Sequence, residues 1–117
     1  MPRVEIPVQT ITRLSVSPGS QITADATNDH YISGNDGRIF VEIISTAVAT
    51  ESVTFETPFS LDDLALEDQV IYVGPSATRY AGPFPTSTFN QTGVGDENKL
   101  FIDPSVSTTL KFRAYKV

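Results

Sequence analysis

The sequence predicts an all-β protein, an antiparallel β-sandwich or jelly roll of seven to nine short strands with an extended N-terminal arm. Ser and Thr together number 25, and β-branched residues dominate the apolar set, which favours strands over helices. Turn residues recur at short spacing, and no apolar stripe of helical period is longer than about two turns. A chain of 117 residues is expected to form one domain, residues 1–117, with a core of its own.

The first segment, residues 1–16, is predicted to be an N-terminal arm or an edge strand. Pro7 lies inside it, and proline lacks the N–H that a central strand needs. Residues 17–20 (SPGS) predict a turn. A short strand is expected over residues 21–24, followed by a polar loop over residues 25–29.

The clearest strand covers residues 38–45 (RIFVEIIS), and an Asp36-Gly37 turn precedes it. Side chains along a strand alternate between two faces, so these residues divide into two sets. The sets are Ile39, Val41 and Ile43 on one face and Phe40, Glu42 and Ile44 on the other. Because both sets are largely apolar, we expect this strand at the centre of a sheet.

The second half of the chain carries shorter segments of the same kind. Strands are expected over residues 52–57, 70–73, 100–103 and 108–117, and residues 78–81 form a short segment before the corner. Residues 60–69 fit either a short strand and turn, which we favour, or a helix of under three turns that begins at a Ser60–Asp63 capping box. Gly82-Pro83-Phe84-Pro85 predicts a corner, and the polar residues 86–98 predict a loop.

The residue types argue against an enzyme. The chain has no cysteine, and His30 is its only histidine, whereas a zinc site needs about four ligands. A hydrolase would depend on His30 as its base, oriented by Asp25 or Asp29, and the sequence has no Gly-x-Ser-x-Gly nucleophile motif. We therefore predict no catalytic residues, no metal and no cofactor.

The charge distribution argues against nucleic acid as a partner. The formal net charge is −6, and an acidic surface repels phosphate backbones. No apolar run reaches the length of a membrane span, and the first residues lack the apolar run of a signal peptide. We expect synthesis in a reducing cytoplasm and no contact with membranes.

Three groups of residues are candidates for binding a partner. The arm could add a strand to a neighbouring sheet through Arg3, Val4 and Ile6. The C-terminal strand carries basic residues that could meet an acidic partner, or could simply be solvated: Lys111, Arg113 and Lys116. A third group of aromatic residues could either stack on a sugar or plug the end of the sandwich: Tyr80, Phe84 and Phe89, with Tyr72 and Phe101.

One acidic cluster is a candidate calcium site. Asp62-Asp63 and Glu67-Asp68 supply several oxygens, which calcium prefers. The spacing lacks the D-x-D-x-D-G pattern of a calcium loop, and neighbouring strand residues point to opposite faces. A solvated turn is the better interpretation.

Several turn and strand motifs between residues 34 and 117 together resemble a known family. They are Asn35-Asp36-Gly37-Arg38, Phe40-Val41-Glu42-Ile43, VTFETP at 53–58, LDDLALED at 61–68, Thr78-Arg79, Gly82-Pro83-Phe84-Pro85, Phe89-Asn90-Gln91 and LKFRAY at 110–115. In these segments the chain resembles small virion proteins from the head genes of tailed phages.

The resemblance implies a capsid decoration or minor capsid protein on the capsid surface of the virion. The partner would be the major capsid protein, bound by many copies or by a homo-oligomer, with no catalytic residues to carry over. Two alternatives stay open: a tail or head–tail connector component, and a carbohydrate-binding module.

Overall fold

A computed structural model of the protein describes residues 2–14, 18–19, 21–58, 60–61, 64–65 and 67–117. Ten strands in this part of the chain form two packed sheets, and two more form a small ribbon. The predicted all-β sandwich is confirmed. The two sheets hold more strands than the seven to nine expected, because the arm alone supplies two.

The elements, in chain order, are β1 (Val4–Glu5), β2 (Val8–Thr10), β3 (Ile22–Thr23), β4 (His30–Ile32), β5 (Ile39–Ser45), β6 (Glu51–Phe55), β7 (Ser60–Leu61), β8 (Leu64–Ala65), β9 (Gln69–Val73), β10 (Thr78–Ala81), α1 (Thr86–Phe89), β11 (Leu100–Pro104) and β12 (Leu110–Lys116).

The first sheet has the order β1-β4-β11-β6-β9, and the second has the order β10-β5-β12-β2. Strand β3 joins the second sheet by pairing with the start of β12. Both sheets are mixed, because β1 runs parallel to β4 and β2 runs parallel to β12, while the other pairs are antiparallel. The expectation of a purely antiparallel sandwich therefore needs this correction at the arm.

The core lies between the inward faces of the two sheets. Ile39, Val41 and Ile43 of β5 are buried, as the alternation along that strand predicted. Phe84 stacks on Phe55, with ring centroids 4.6 Å apart, and holds the corner after β10 against the core. The core residues that are wholly inaccessible to solvent include Ile6, Ile32, Val53, Leu100, Ile102, Leu110 and Phe112.

On each side of the sandwich, a chain segment runs from an edge strand of one sheet to an edge strand of the other. On one side, β1 passes through Ile6 and Pro7 into β2. On the opposite side, β9 passes through a turn at residues 74–77 into β10. Ile6 is fully buried at the first crossing, and its N–H donates to the Tyr31 carbonyl at 2.9 Å.

Two segments differ from, or refine, the sequence-based expectations. The loop predicted over residues 86–98 begins with one helical turn, α1, directly after Pro85. In residues 60–69 the described backbone forms β7 and β8, which pair with each other. This agrees with the short strand and turn that we favour over a helix. Asp62 and Asp63, and all of the predicted 17–20 turn except Pro18 and Gly19, lie outside the described residues.

The predicted corner depends on a close approach at Gly82. This residue has φ +124, and a Cβ built on it would lie 2.8 Å from the Ile39 carbonyl oxygen and 2.9 Å from the Phe40 Cα. The Gly82–Pro83 peptide bond is cis. Glycine is therefore needed here both for its backbone conformation and for its lack of a side chain.

Candidate functional site

The solvent side of the second sheet carries a distinctive group of aromatic and basic side chains, of which Tyr80 is exposed and the others are partly buried. Alternation along β5 and β12 turns Phe40, Arg113 and Tyr115 away from the core, and Tyr80 of the edge strand β10 lies on the same side. Register places Tyr115 opposite Phe40, and it places Glu42 between Tyr80 and Arg113. We call this surface the aromatic–basic face and define it as Phe40, Tyr80, Lys111, Arg113 and Tyr115.

Three aromatic rings form a continuous strip across three strands of this face. Phe40 stacks on Tyr115 with ring centroids 5.4 Å apart and planes 26° apart. Tyr80 lies 6.3 Å from Phe40 in a tilted arrangement and is 64% exposed. The strip therefore offers aromatic surface to a partner while the rings hold one another in place.

Glu42 lies beneath the face and fixes two of its side chains. The Tyr80 hydroxyl donates to one Glu42 carboxylate oxygen at 2.7 Å, and Arg113 donates to the other at 3.1 Å. Glu42 itself is only 8% exposed. The hydrogen bond to this carboxylate raises the pKa of Tyr80. These contacts restrain the orientations of Tyr80 and Arg113 before any partner arrives.

The predicted basic residues of β12 separate into two places. Lys111 and Arg113 lie on the aromatic–basic face, and the Lys111 ammonium makes a long contact of 3.4 Å to the Thr23 hydroxyl. Lys116 lies at the end of the strand and pairs with Asp36 at 2.8 Å. Hydrogen bonds from Lys116 and Arg38 lower the pKa of Asp36 to about 2. Lys116 is therefore not part of this face.

The arm residues proposed from the sequence are bound to the protein's own sheets. Arg3 donates to Glu56 at 2.6 Å and to Asp103 at 2.5 Å. Its guanidinium carbon lies 3.9 Å from the centroid of the Phe101 ring. Ile6 is in the core, so of the three proposed arm residues Val4 is the one with a substantially exposed side chain, at 38%.

The two carboxyl groups that hold Arg3 also interact with each other. The hydrogen bond with Asp103, together with partial burial, raises the pKa of Glu56 to about 7, although Arg3 opposes this shift. Beside this pair lies an open groove of about 410 Å³, lined by Pro2, Arg3, Tyr31, Asp96, Lys99 and Phe101. The cations of the groove already hold carboxylates, because Lys99 pairs with Asp96 at 3.1 Å.

His30 is a structural residue in this fold. It is fully buried, and its Nε2 accepts a hydrogen bond from the Asp25 N–H at 2.9 Å. Since Nε2 accepts, the proton lies on Nδ1, which donates to the Val4 carbonyl at 3.1 Å. Burial lowers the pKa of His30. Both ring nitrogens are occupied by backbone groups, so neither is free to act as the base of a hydrolase.

The aromatic candidates from the sequence divide into a buried group and an exposed one. Phe84 and Phe89 are buried and pack edge to face at 5.2 Å, which is the plug at the end of the sandwich. Tyr80 is exposed, and its neighbours are Phe40 and Tyr115, which were not named as binding candidates. The alternation of residues 38–45 had placed Phe40 on the outer face, so this signal was present in the sequence.

Among the residues that the structure describes, no three His, Cys, Asp or Glu side chains are grouped so that they could hold a metal ion. No helix in the same part of the chain is long and apolar enough to cross a membrane. Comparison with models of known families, with curated proteins and with solved structures finds no match for this chain. The function therefore has to be inferred from the surface itself.

Proposed function

We propose that the protein is a non-enzymatic structural protein of a phage virion, a capsid decoration or minor capsid protein that binds the major capsid lattice and stabilises it. The observation that carries the proposal is the aromatic–basic face, in which the exposed Tyr80 and the partly buried Arg113 both donate to Glu42. Tyr and Arg are among the residues that contribute most to binding energy at protein interfaces.

The order of this face also supports a binding role. An interface loses affinity when its side chains must be immobilised on binding. Tyr80 and Arg113 already share the Glu42 carboxylate, and Phe40 and Tyr115 already stack on each other. The face is thus preorganised, and little further ordering is required of it.

Charge indicates what kind of partner surface the face fits. The chain as a whole carries −6, whereas on the face Arg113 balances Glu42 and Lys111 adds a further positive charge. An acidic patch on the partner would complement this face and be repelled by most of the remaining surface. Charge would therefore orient the protein with its basic side on the shell and its acidic sides in solvent.

The resemblance to tailed-phage head proteins supports the choice of a capsid as the partner. Two of the motifs that carry it, residues 40–43 and 110–115, belong to β5 and β12, the strands that build the face. Many weak contacts repeated over a shell give a large total affinity. The small size of the face is compatible with such a role.

The test compares capsid binding by charge-matched variants. Lys111→Glu is expected to weaken binding to capsids of the encoding phage about tenfold and to change its salt dependence, because it reverses a charge on the face. Lys99→Glu makes the same charge change away from this face, directly before β11 of the first sheet, and should leave binding unchanged. Tyr80→Ala should weaken binding by about thirtyfold, the effect of a residue that contributes about 2 kcal/mol.

Normal occupancy by both Lys111→Glu and Tyr80→Ala would refute the proposed face. The copy number in purified virions distinguishes the capsid from other locations. A copy number that matches the number of repeating positions in the shell indicates decoration. A copy number that matches one ring of subunits indicates a tail or connector component. The role of the arm stays a prediction, and Val4→Lys tests it better than deletion of residues 1–8, which would also remove Ile6 from the core.

The aromatic strip favours one second candidate function, carbohydrate binding. Exposed rings on a flat sheet can stack against sugars, and Tyr80 presents such a ring beside Phe40. A glycan array separates the two functions. Sugar binding that is lost in Tyr80→Ala, without capsid binding by the parent protein, would favour the carbohydrate-binding module.

A further inference from the structure

We propose that β9 pairs with β9 of a second copy of this chain, joining the first sheets of two molecules into one continuous ten-stranded sheet about a two-fold axis. The inference is independent of the capsid proposal, because it concerns a different edge and is tested in solution without capsids.

Strand β9 is an open edge with exposed apolar side chains. Among the described residues it pairs with β6 alone. Its sequence, QVIYV, has no charge and no proline. Val70 is 41% exposed and Tyr72 is 66% exposed, and both lie on the solvent side of the sheet. An uncharged apolar edge of this kind is a template for pairing with another strand.

The other edge strands of the two sheets carry features that discourage such pairing. Strand β1 contains Glu5 and lies between Pro2 and Pro7. Strand β2 has three residues, and β10 carries the exposed Arg79. Short edges, prolines and charges are the usual means by which proteins prevent edge-to-edge association. Strand β9 has none of these features.

The backbone pattern shows which groups of β9 are available. The Glu56 N–H donates to the Phe101 carbonyl, and the Ser105 N–H donates to the Ser52 carbonyl. Because bonded positions alternate along a strand, the even-numbered residues of β6 and its continuation at Glu56 bond to β11. The odd-numbered residues of β6 therefore bond to β9, through the residues opposite them: Gln69, Ile71 and Val73. It follows that the N–H and C=O groups of Val70 and Tyr72 point to the open edge.

These free groups fit a second copy in one antiparallel register centred on Ile71. In that register Val70 of each copy lies opposite Tyr72 of the other, and the two pairs make four backbone hydrogen bonds. Each pair also sets an aromatic side chain against a β-branched one on the solvent side, a favourable cross-strand combination. Ile71 meets Ile71 of the second copy across the axis, between the hydrogen-bonded pairs.

The same register places no like charges opposite each other. Asp68 would face Gly74 of the second copy, and Glu67 would face Pro75. A two-fold interface must be complementary to itself, and a neutral strand that sets Val70 against Tyr72 on both sides of Ile71 meets that condition. Strand β9 carries no charged group, so charge does not favour a different partner at this edge.

The first experiment is sedimentation velocity over a range of protein concentrations. We expect a monomer–dimer equilibrium in the parent protein and at least tenfold weaker association in Tyr72→Lys, because a charge is placed at the centre of the edge. Val94→Lys is the control, since Val94 is 99% exposed in the loop before β11 and lies outside both the edge strands and the aromatic–basic face. It should associate as the parent does.

The second experiment tests the register and uses the absence of cysteine from the chain. Ile71→Cys should form a disulfide-linked dimer under mild oxidation, because directly opposed residues lie within the reach of a disulfide. Gln69→Cys should not, since the two copies of residue 69 would be about 14 Å apart.

A parent protein that stays monomeric up to about 1 mM would overturn the proposal. Dimerisation that Tyr72→Lys leaves intact, or equal cross-linking through residues 69 and 71, would overturn it as well. Normal folding of Tyr72→Lys, checked by circular dichroism, ensures that lost association reflects the edge.

Discussion

Glu42 and Arg113 occupy directly opposite positions on β5 and β12, with the guanidinium 3.1 Å from the carboxylate. The Arg113 side chain is 24% exposed and the Glu42 side chain is 10% exposed, so most of the pair is shielded from water. Loss of one member would leave the other charge largely buried, which costs more than loss of a surface ion pair.

Arg113→Met is therefore expected to lower the free energy of unfolding by about 2 kcal/mol, since it keeps the aliphatic stem and removes the charge that balances Glu42. Lys111→Met makes the same charge change two residues earlier on the same face and should cost no more than about 0.5 kcal/mol. Urea denaturation of both variants measures the difference. Equal effects would show that Glu42 does not depend on Arg113.

His30→Leu is expected to destabilise the protein by about 2 kcal/mol at neutral pH. The variant keeps the side-chain volume but leaves the Asp25 N–H and the Val4 carbonyl without the ring nitrogens. Thermal unfolding at pH 7.5, a condition above the ordinary pKa of about 6.5, measures this loss without protonation of histidine.

The same variant has a defined pH signature. Because the pKa of His30 is lowered in the folded state, the unfolded chain takes up the proton first, and stability is lost as the pH falls below 6.5. The stability difference between the parent and His30→Leu should therefore shrink between pH 6.5 and pH 5. A difference that grows over this range would contradict the buried neutral ring.

Glu56→Gln should give the opposite signature. A pKa raised to about 7 means that the folded protein binds this proton more tightly than the unfolded chain does. The contribution of Glu56 to stability is therefore complete at low pH and is lost as the pH rises from 4.5 to about 7. Relative to Glu56→Gln, the parent should become less stable over that range, as followed by thermal melts.

Glu51→Gln serves as the control for this experiment, because it makes the same change on β6, and no contact joins Glu51 to Arg3 or Asp103 among the described residues. It should not reproduce the effect. A parent protein that gains stability relative to Glu56→Gln as the pH rises would refute the raised pKa of Glu56.

Gly82→Ala is expected to cost at least about 2 kcal/mol, since it combines an unfavourable positive φ with a Cβ 2.8 Å from the Ile39 carbonyl oxygen. Gly93→Ala is the matched control. A Cβ on Gly93 meets nothing within 4 Å, and its φ does not lie in the positive region. Calorimetric melting temperatures compare the two, and a fully stable Gly82→Ala would refute the close approach at the corner.

Local pattern predicted much of this fold. The alternation of residues 38–45 identified the buried and outward sets of β5, and the prolines and glycines after β10 identified the corner. The period of a strand tells which way each side chain points, but it does not tell which strand lies alongside. The parallel pairing of β1 with β4, and of β2 with β12, could not be read from that pattern.

The candidate site was harder to predict, for the same reason. Phe84 and Tyr80 are close in sequence and equally aromatic, yet one is buried against Phe55 and the other is exposed beside Phe40. The difference is set by a change of chain direction at Gly82. Arg3 likewise looked available for a partner, because the carboxylates that bind it come from positions 56 and 103.

The two sheet-switching segments, at residues 6–7 and 74–77, have a mechanical consequence. On each flank of the molecule, a continuous length of backbone connects the two layers. A shearing load that pushes one layer past the other is therefore carried by covalent chain on both flanks as well as by the side chains between the layers.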